Sequence, residues 1–586
     1  MSFKLPDPYV YVASGAAATE ATVVFLKKCG LASLLIVLIS LVGAVRVPTA
    51  WPIWLTYKHV FLQDIWLALA MFGVAALAWA ASHLRLNRLE FPNLAVICVF
   101  VGITIACYAG HYLILQGYDL TRDEQMVSFD AWIFSQGKLV WPIAPEWQRD
   151  AAALNLMFML PIEQPEAWVS AYLPGNAALH ALVGKMIDPA WTAPLLTGLS
   201  LPLLWSLGRR LWPTDREAAA VLLILFALSG QILLNGMTTY AMAAHLFFNL
   251  AWLRLFLADR RSNDLLALAI GFVATGLHQP LFHPMFVAPF LVFLLVGKHW
   301  TRLTLFALGY LAIGLFWLSW PGQMAALVTG PLSTTAAGGS DYLARLLNAL
   351  ASNSHSVTLM SANILRFLTW QHVALLPLLL AAWPAVRRGG LPVALALGLA
   401  LHVMVLAVIL PWQGNGFGYR YVHPVLGNAL LLAGYGWREL APLHARLRPA
   451  MAGATIATLL VMVPLWLAMS HARYAPYALA SRTIDASGAD YAVLQMSNGV
   501  SYGSVVFNQP DLGKRPVRLV AERIAEPAAL ARRICRPGVS VAMASDSFFR
   551  PGAAYFDTPW PDKATARLPA LRAPYEAAGC RVVLLR

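Results

Sequence analysis

Apolar stretches of about 20 residues, the length that crosses a bilayer core, recur between residues 29 and 469 of this 586-residue chain. With 59% hydrophobic and 12% charged residues, the chain carries more apolar surface than one soluble core can take in, so lipid has to serve as its solvent. Lipid offers backbone groups no hydrogen bonds, which restricts spanning structure to helices and closed barrels. The runs are continuous rather than alternating. An all-α polytopic domain is therefore expected, with about thirteen spans near 29–46, 62–82, 93–114, 191–207, 217–234, 239–257, 264–281, 284–297, 303–320, 366–386, 391–411, 421–437 and 449–469.

A net charge of +14 would point to nucleic acid in a soluble protein. Here the basic residues sit in short loops between apolar runs, so the charge is an orientation signal and no nucleic-acid partner is expected. Lys27 and Lys28, Arg85 and Arg88, Arg209, Arg210 and Arg216, Arg260 and Arg261, Lys298 and Arg302, Arg387 and Arg388, and Arg438, Arg446 and Arg448 all fall on one side. Taking that side as cytoplasmic puts the N-terminus inside and 115–190, 321–365, 412–420 and the tail from 470 outside. This suits a multi-pass protein of a bacterial inner membrane, with the endoplasmic reticulum as the alternative. The N-terminus lacks the pattern of a cleaved signal peptide, so the first span is expected to remain as an anchor. The stretch 172–187 is apolar enough to span, but counting it would put Arg209 and Arg210 outside. It is read as a juxtamembrane or half-inserted helix.

Residues 1–469 thus read as a membrane domain and 470–586 as a small extracytoplasmic α/β domain. In the latter, short β-like pieces (DYAVLQ, GSVVFNQ, VSVAMA, CRVVLLR) alternate with the helical EPAALARRI. Cys535 and Cys580 lie in this tail and could pair in an oxidising compartment, closing a loop of about 45 residues worth on the order of 3 to 4 kcal/mol. Cys29, Cys98 and Cys107 lie in or beside spans and read as small hydrophobes.

The expected spans are nearly free of carboxylates. Asp64 stands at a span entrance, and the core polar residues are mostly histidines such as His245, His278 and His402. Ion-coupled transporters need acidic groups near the midplane, so this scarcity counts against transport. Eight acidic residues instead lie between Tyr118 and Ser170: Asp119, Asp123, Glu124, Asp130, Glu146, Asp150, Glu163 and Glu166. Within that loop Met126, Phe129, Ile133 and Phe134 fall at helical spacing, as in an amphipathic helix lying on a membrane surface. Asp123 and Glu124 would stand at its N-terminal end. One reading makes them helix caps; the other makes one a general base meeting a hydroxyl acceptor at the lipid boundary.

An Asp-Glu pair after an apolar span, an amphipathic helix ending in Gly137, the Tyr172-Leu173-Pro174 stretch, an apolar run and GRRLW (Gly208 to Trp212) follow in that order. Over roughly residues 93 to 437 this resembles the GT-C glycosyltransferases, and more narrowly the protein O-mannosyltransferase and lipid A aminoarabinose transferase group, which use polyprenyl-phosphate sugars. The resemblance implies that Asp123 is the base, with Glu124 as its neighbour and Asp119 a weaker alternative. It also implies an inverting transfer to a lipid, glycan or protein acceptor, with Tyr172, Tyr240 and His245 among the substrate-binding candidates.

A cation should face the donor phosphate. The segment PWQGNGFGYRYVHP (Pro411 to Pro424) combines glycines, aromatic rings and Arg420 at the mouth of a span. It reads either as a tight interhelical loop with a snorkelling arginine or as a donor site, and the family's Arg-Tyr pair looks like Arg420 and Tyr421. His278 and His283 in GLHQPLFHP lack acidic company as a metal pair; donor-phosphate contact or a structural hydrogen bond is expected of them.

The loop has no Asp-x-Asp motif, so no cofactor is expected and a divalent cation is not indicated. Two departures from the family imply a different donor recognition: Leu173 stands where a lysine is expected, and TTYAMAAH offers His245 in place of an aspartate. Rival readings are a flippase or transporter of lipid-linked glycans and a scaffold docking an acidic partner through the basic tail.

Overall fold

The computed structural model describes residues 16–49, 53–86, 91–155, 157–160, 162, 165–329, 355–442, 444–495, 502–555 and 563–586. Arg88, Glu163 and positions 330–354 of the expected external loop 321–365 lie outside the described residues.

Helices occupy all thirteen expected stretches. Seven are long and apolar enough to cross a membrane: Val24–Ala44, Trp54–Ala81, Asn93–Leu113, Pro189–Leu211, Trp300–Val328, Leu391–Ile409 and Leu447–Ala486. Met242–Phe256, Phe282–Val296 and Leu375–Arg387 are apolar but shorter. The other three stretches differ from the expectation. Residues 217–234 break at Ser229, whose hydroxyl caps a second short helix, while Arg261–Thr275 and Leu426–Leu440 have 15 residues each. A helix of that length reaches roughly 22 Å, less than the ~30 Å of a bilayer core. Among the described residues, seven of the thirteen expected spans are thus full-length and six are shorter helices. Outward faces expose Ile39, Leu69 and Leu315, as a chain solvated by lipid requires.

The basic loops gather at one end of this polytopic helical membrane fold, where acidic partners join them. Arg438 meets Asp215 at 3.0 Å, Arg448 meets Glu217 at 2.7 Å, and Arg302 meets Asp264 at 2.6 Å. Helix Met242–Phe256 runs from Tyr240 to this end, and Leu426–Leu440 runs to it from just beyond Arg420.

The stretch 172–187 does not cross. Its helix, Gly175–Gly184, has 10 residues. The amide N–H of Gly175 donates to the Gly276 carbonyl at 2.8 Å, and just beyond the helix Asp188 accepts from Tyr108 at 2.9 Å. A Cβ on Gly175 would lie 2.7 Å from that carbonyl oxygen, so only glycine permits the approach.

The amphipathic helix, Arg122–Ser135, does not lie on the membrane surface as expected. Met126, Phe129 and Ile133 are buried in a core shared with Trp147 and Trp168 and with Val493, Leu519 and Met543 of a C-terminal sheet. Val127 and Ala131 pack on Ala177 and Ala181. The same 3.6-residue periodicity serves a lipid surface and a protein core, and here protein covers the face.

The sheet is parallel, with strands Val517–Val520, Tyr491–Leu494, Ser540–Ala544 and Arg581–Leu585 side by side in that order. Three of the four expected β-like pieces form strands. GSVVFNQ contributes only a 3₁₀ turn at Tyr502–Val505, and the fourth strand, VRLV, is masked in sequence by its arginine. Arg518 is buried and tied to Asp485 at 2.6 Å. Helix Pro527–Ile534 forms where EPAALARRI reads helical, and Cys535 and Cys580 are joined as a disulfide.

Asp150 to Arg533 (2.6 Å), Tyr118 to the Ser504 carbonyl (2.7 Å) and Gln125 to the same carbonyl (2.6 Å) clamp the loop to the sheet region. Phe129→Ala should therefore cost ~3–5 kcal/mol, as large-to-small changes in protein cores do. It should register as a clear drop in apparent melting temperature in detergent; a helix face lying on lipid would leave that temperature nearly unchanged.

Candidate active site

Thr121 caps helix Arg122–Ser135 in a reciprocal capping box: the Glu124 N–H donates to the Thr121 hydroxyl at 3.3 Å, and the Thr121 N–H donates to the Glu124 carboxyl at 3.0 Å. Glu124 is thereby turned back onto the helix end, where the Tyr474 hydroxyl also donates to it at 3.1 Å. Successive residues of a helix point about 100° apart, so Asp123 is aimed elsewhere. Its Oδ2 lies 2.6 Å from Nη1 of Arg420, and its Oδ1 accepts from the Tyr172 hydroxyl at 2.6 Å. The capping reading holds for Glu124 alone, while Asp123 is turned away from the helix end and faces a cation.

Arg420 is held from several sides. Its Nη2 donates to the Gln413 carbonyl at 3.0 Å, its backbone N–H donates to the Gln413 side chain at 3.0 Å, and its guanidinium stacks 4.9 Å from the Tyr240 ring and 5.0 Å from the Tyr421 ring. Gly416 lies against it with φ 129°, and a Cβ there would sit 2.6 Å from Arg420 Cδ. The Gly416 carbonyl accepts from Arg366 at 2.8 Å.

Arg366 is fully buried and lies 3.6 Å from Asp64, which also accepts from the Trp370 indole at 3.3 Å. Asp64 does not stand at a span entrance. Its helix begins at Trp54, and a π-helical turn at Val60–Asp64 carries it into the protein interior.

Electrostatics separate the two adjacent carboxyls. Burial alone would raise the Asp123 pKa, but Arg420, then His278 and the Tyr172 hydroxyl, outweigh it and hold the carboxyl below the ordinary aspartate range. Burial, reinforced by Asp119, pushes Glu124 up to about 8. The Tyr172 phenol is raised by burial and by Asp123, so it remains a proton donor. Burial lowers His278 to about 4, which leaves its imidazole neutral at pH 7. This ring meets Tyr172 edge-on at 4.2 Å, and its buried Nδ1 has no partner among the described residues.

Asp123, Arg420, Tyr172, Tyr240, Tyr421 and His278 therefore converge. Asp119 lies beside them with its carboxylate occupied by Ser128 and Thr239. Two expected residues are placed elsewhere. His283 is buried among the helices with Asn249 at 2.6 Å and Tyr310 at 2.8 Å, so both ring nitrogens are committed away from Asp123 and the structural hydrogen-bond reading fits it. His245 is buried against Phe282, its ring nitrogens without partners among the described residues, and makes no hydrogen bond to the Asp123 pair. Sequence reasoning missed Gln413, although it lies inside the quoted glycine-rich segment. It also missed Arg366 and Tyr474, which reach the site from distant helices and carry no local signal.

The arrangement pairs an ionised carboxylate with a guanidinium where one edge of each remains open: side-chain exposure is 16% for Asp123 and 7% for Arg420. Such a pair can accept a proton on one member and balance an anion on the other.

No protein-family model and no curated protein matches the chain. Among solved structures, it is similar to the crystal structures of ArnT from Cupriavidus metallidurans in the apo state and bound to undecaprenyl phosphate. Each has a TM-score of 0.45 and 13% sequence identity, covering 80% of this chain and 90% of that one.

Glu124 supplies a test of the division of labour. Its pKa is raised from 4.5 to about 8, so the folded protein keeps a proton that the unfolded chain releases. The group's contribution to stability is therefore fully present below pH 4.5 and is lost as pH rises toward 8. Glu124→Gln should preserve the fold at neutral pH and flatten the fall in apparent melting temperature across that window. A steep fall retained in the variant would assign that pH dependence to another group.

Proposed function

We propose that the chain is an inverting GT-C-type glycosyltransferase that moves a sugar from a polyprenyl phosphate to a hydroxyl of a lipid, glycan or protein acceptor, at the extracytoplasmic face of a bacterial inner membrane. The observation that carries the reading is the 2.6 Å contact between Asp123 and Arg420. It joins a proton acceptor and a phosphate-binding group at one mouth of the helices. The gathering of basic loops at the far ends of the neighbouring helices supports the external placement of this mouth.

In the resting pair Arg420 keeps Asp123 ionised and weakly basic. A donor phosphate competes for the guanidinium, for which it is a strong bidentate partner. Drawn toward the phosphate, Arg420 leaves Asp123 half-buried without its cation, and the carboxylate's affinity for a proton rises. Asp123 then takes the proton of the acceptor hydroxyl. The hydroxyl oxygen bonds to the anomeric carbon as that carbon's bond to the phosphate oxygen breaks, and the electron pair leaves with the polyprenyl phosphate, whose charge Arg420 balances. Attack on the face opposite the phosphate inverts the anomeric centre. Tyr172 orients the carboxylate throughout, and neutral His278 offers a hydrogen bond without adding charge.

Asp123→Asn should lower transfer from a labelled polyprenyl-phosphate sugar by at least ~10²-fold. It should bind that donor as tightly as the wild type or more tightly, because Arg420 is released. An unchanged transfer rate would remove Asp123 from the chemistry. Gly416→Ala forces a Cβ into Arg420 and a strained backbone. Donor affinity should fall about tenfold, roughly 1.4 kcal/mol, as measured by equilibrium binding of the same labelled donor.

A further inference from the structure

A cleft of about 810 Å³ opens between residues 141–147, which follow the Asp123-bearing helix, and the end of the sheet where Tyr491 begins an interior strand. Its size falls within the ~300–1,000 Å³ typical of ligand sites. Trp132, near the carboxyl end of that helix, meets Trp141 edge-on at 4.7 Å, so the cleft lies beyond the end of the helix opposite Asp123.

Two kinds of surface line it. Rings of Trp141 and Tyr491, both half-exposed, and of buried Trp147 supply aromatic surface. A cation already stands over one face of each, Lys138 at 4.2 Å from Trp141, Arg515 at 5.4 Å from Tyr491 and Arg533 at 5.5 Å from Trp147, so a ligand has at most the other face. Around them stand three arginines and three carboxylates, which balance in charge. Four of these six have partners: Asp490 accepts from the Ser540 N–H at 2.8 Å, Arg533 is paired with Asp150 at 2.6 Å, one oxygen of Asp511 accepts from the Gly513 N–H at 3.0 Å, and Arg515 stacks 5.4 Å from the Tyr491 ring. Glu146, Asp511, Arg515 and Arg536 are exposed, offering two acceptors and two donors of planar, two-pronged geometry.

A pyranose ring presents a face of C–H bonds that packs on the electron-rich face of an aromatic ring, and a rim of vicinal hydroxyls that both donate and accept. A phosphate or polyanion would need a net positive lining, which this cleft lacks. The Cys535–Cys580 disulfide lies next to Arg536 and fixes that wall.

We propose that this cleft binds a neutral saccharide chain. Resting on the transferase reading, the chain is the distal part of a glycan acceptor whose reacting end reaches Asp123, roughly 20 Å away along a 14-residue helix.

The test is isothermal titration calorimetry of the full chain in a detergent that carries no sugar. Neutral heptasaccharides derived from glucan, mannan and galactan are titrated beside oligogalacturonate. At least one neutral chain should bind saturably, with affinity weakened about tenfold or more by Trp141→Ala and by the exposed Arg536→Ala. The proposal is overturned by absence of saturable neutral-saccharide binding at millimolar concentration, by binding that survives both cleft substitutions, or by preference for oligogalacturonate. Binding is read without turnover, so failure here leaves the Asp123 transfer assay untouched, and failure of that assay leaves the cleft result standing.

Discussion

The ion pair between Asp123 and Arg420 is the constraint on which the rest of the structure depends. Its members are 297 residues apart in sequence and largely removed from water, where an unpaired charge costs several kcal/mol. Such a pair persists only if both backbones are fixed. On the carboxylate side, the Thr121–Glu124 capping box pins the helix end, and Tyr474 reaches it from a helix that runs unbroken through Leu447–Ala486. On the guanidinium side, Gln413, Tyr240 and Tyr421 surround the arginine. The second buried pair, Asp64 with Arg366, anchors the Gly416 carbonyl beneath it. Removing Arg366 would leave Asp64 uncompensated in the interior as well as freeing the loop, so the two pairs are linked through one peptide group.

Much of this was legible in the sequence, for identifiable reasons. Continuous apolar runs can only be lipid-facing or deeply packed helices, so the helical stretches were found, although their lengths were not: a 15-residue helix packed among neighbours and a full span share the same local hydrophobicity. Basic loops marked one end of the bundle because charge is excluded from lipid. Asp123 stood out as one of a cluster of carboxylates beside spans that nearly lack them, and Arg420 since it shared a short segment with glycines and aromatic rings. The family resemblance favoured the base reading of Asp123, which composition alone left open beside the capping one.

What escaped the sequence depends on tertiary pairing. Asp64 and Arg366 each look like a residue at a helix boundary until they are seen to meet. VRLV carries a charge that conceals a buried strand, because its partner Asp485 lies 33 residues earlier. The apolar face of the Asp123 helix suited a bilayer as well as a core, and only the sheet that covers it decides the matter. His283 and His278 are five residues apart in one motif, yet the turn between them sends one ring to Asn249 and the other toward Tyr172. The site draws on the loop that carries Asp123 and Tyr172, the segment from Gln413 to Tyr421 and the helix that carries Tyr474, each tied to another by a hydrogen bond or ion pair.

The central claim is that Arg420 exchanges Asp123 for a lipid-linked phosphate. Mass spectrometry of the lipids that co-purify with the wild-type protein and with Arg420→Met tests it directly. The account predicts a polyprenyl phosphate or its sugar ester bound to the wild type and depleted in the variant, compared at equal amounts of folded, monodisperse protein. An identical lipid complement in the two, or a wild type carrying only bulk phospholipid, would contradict it.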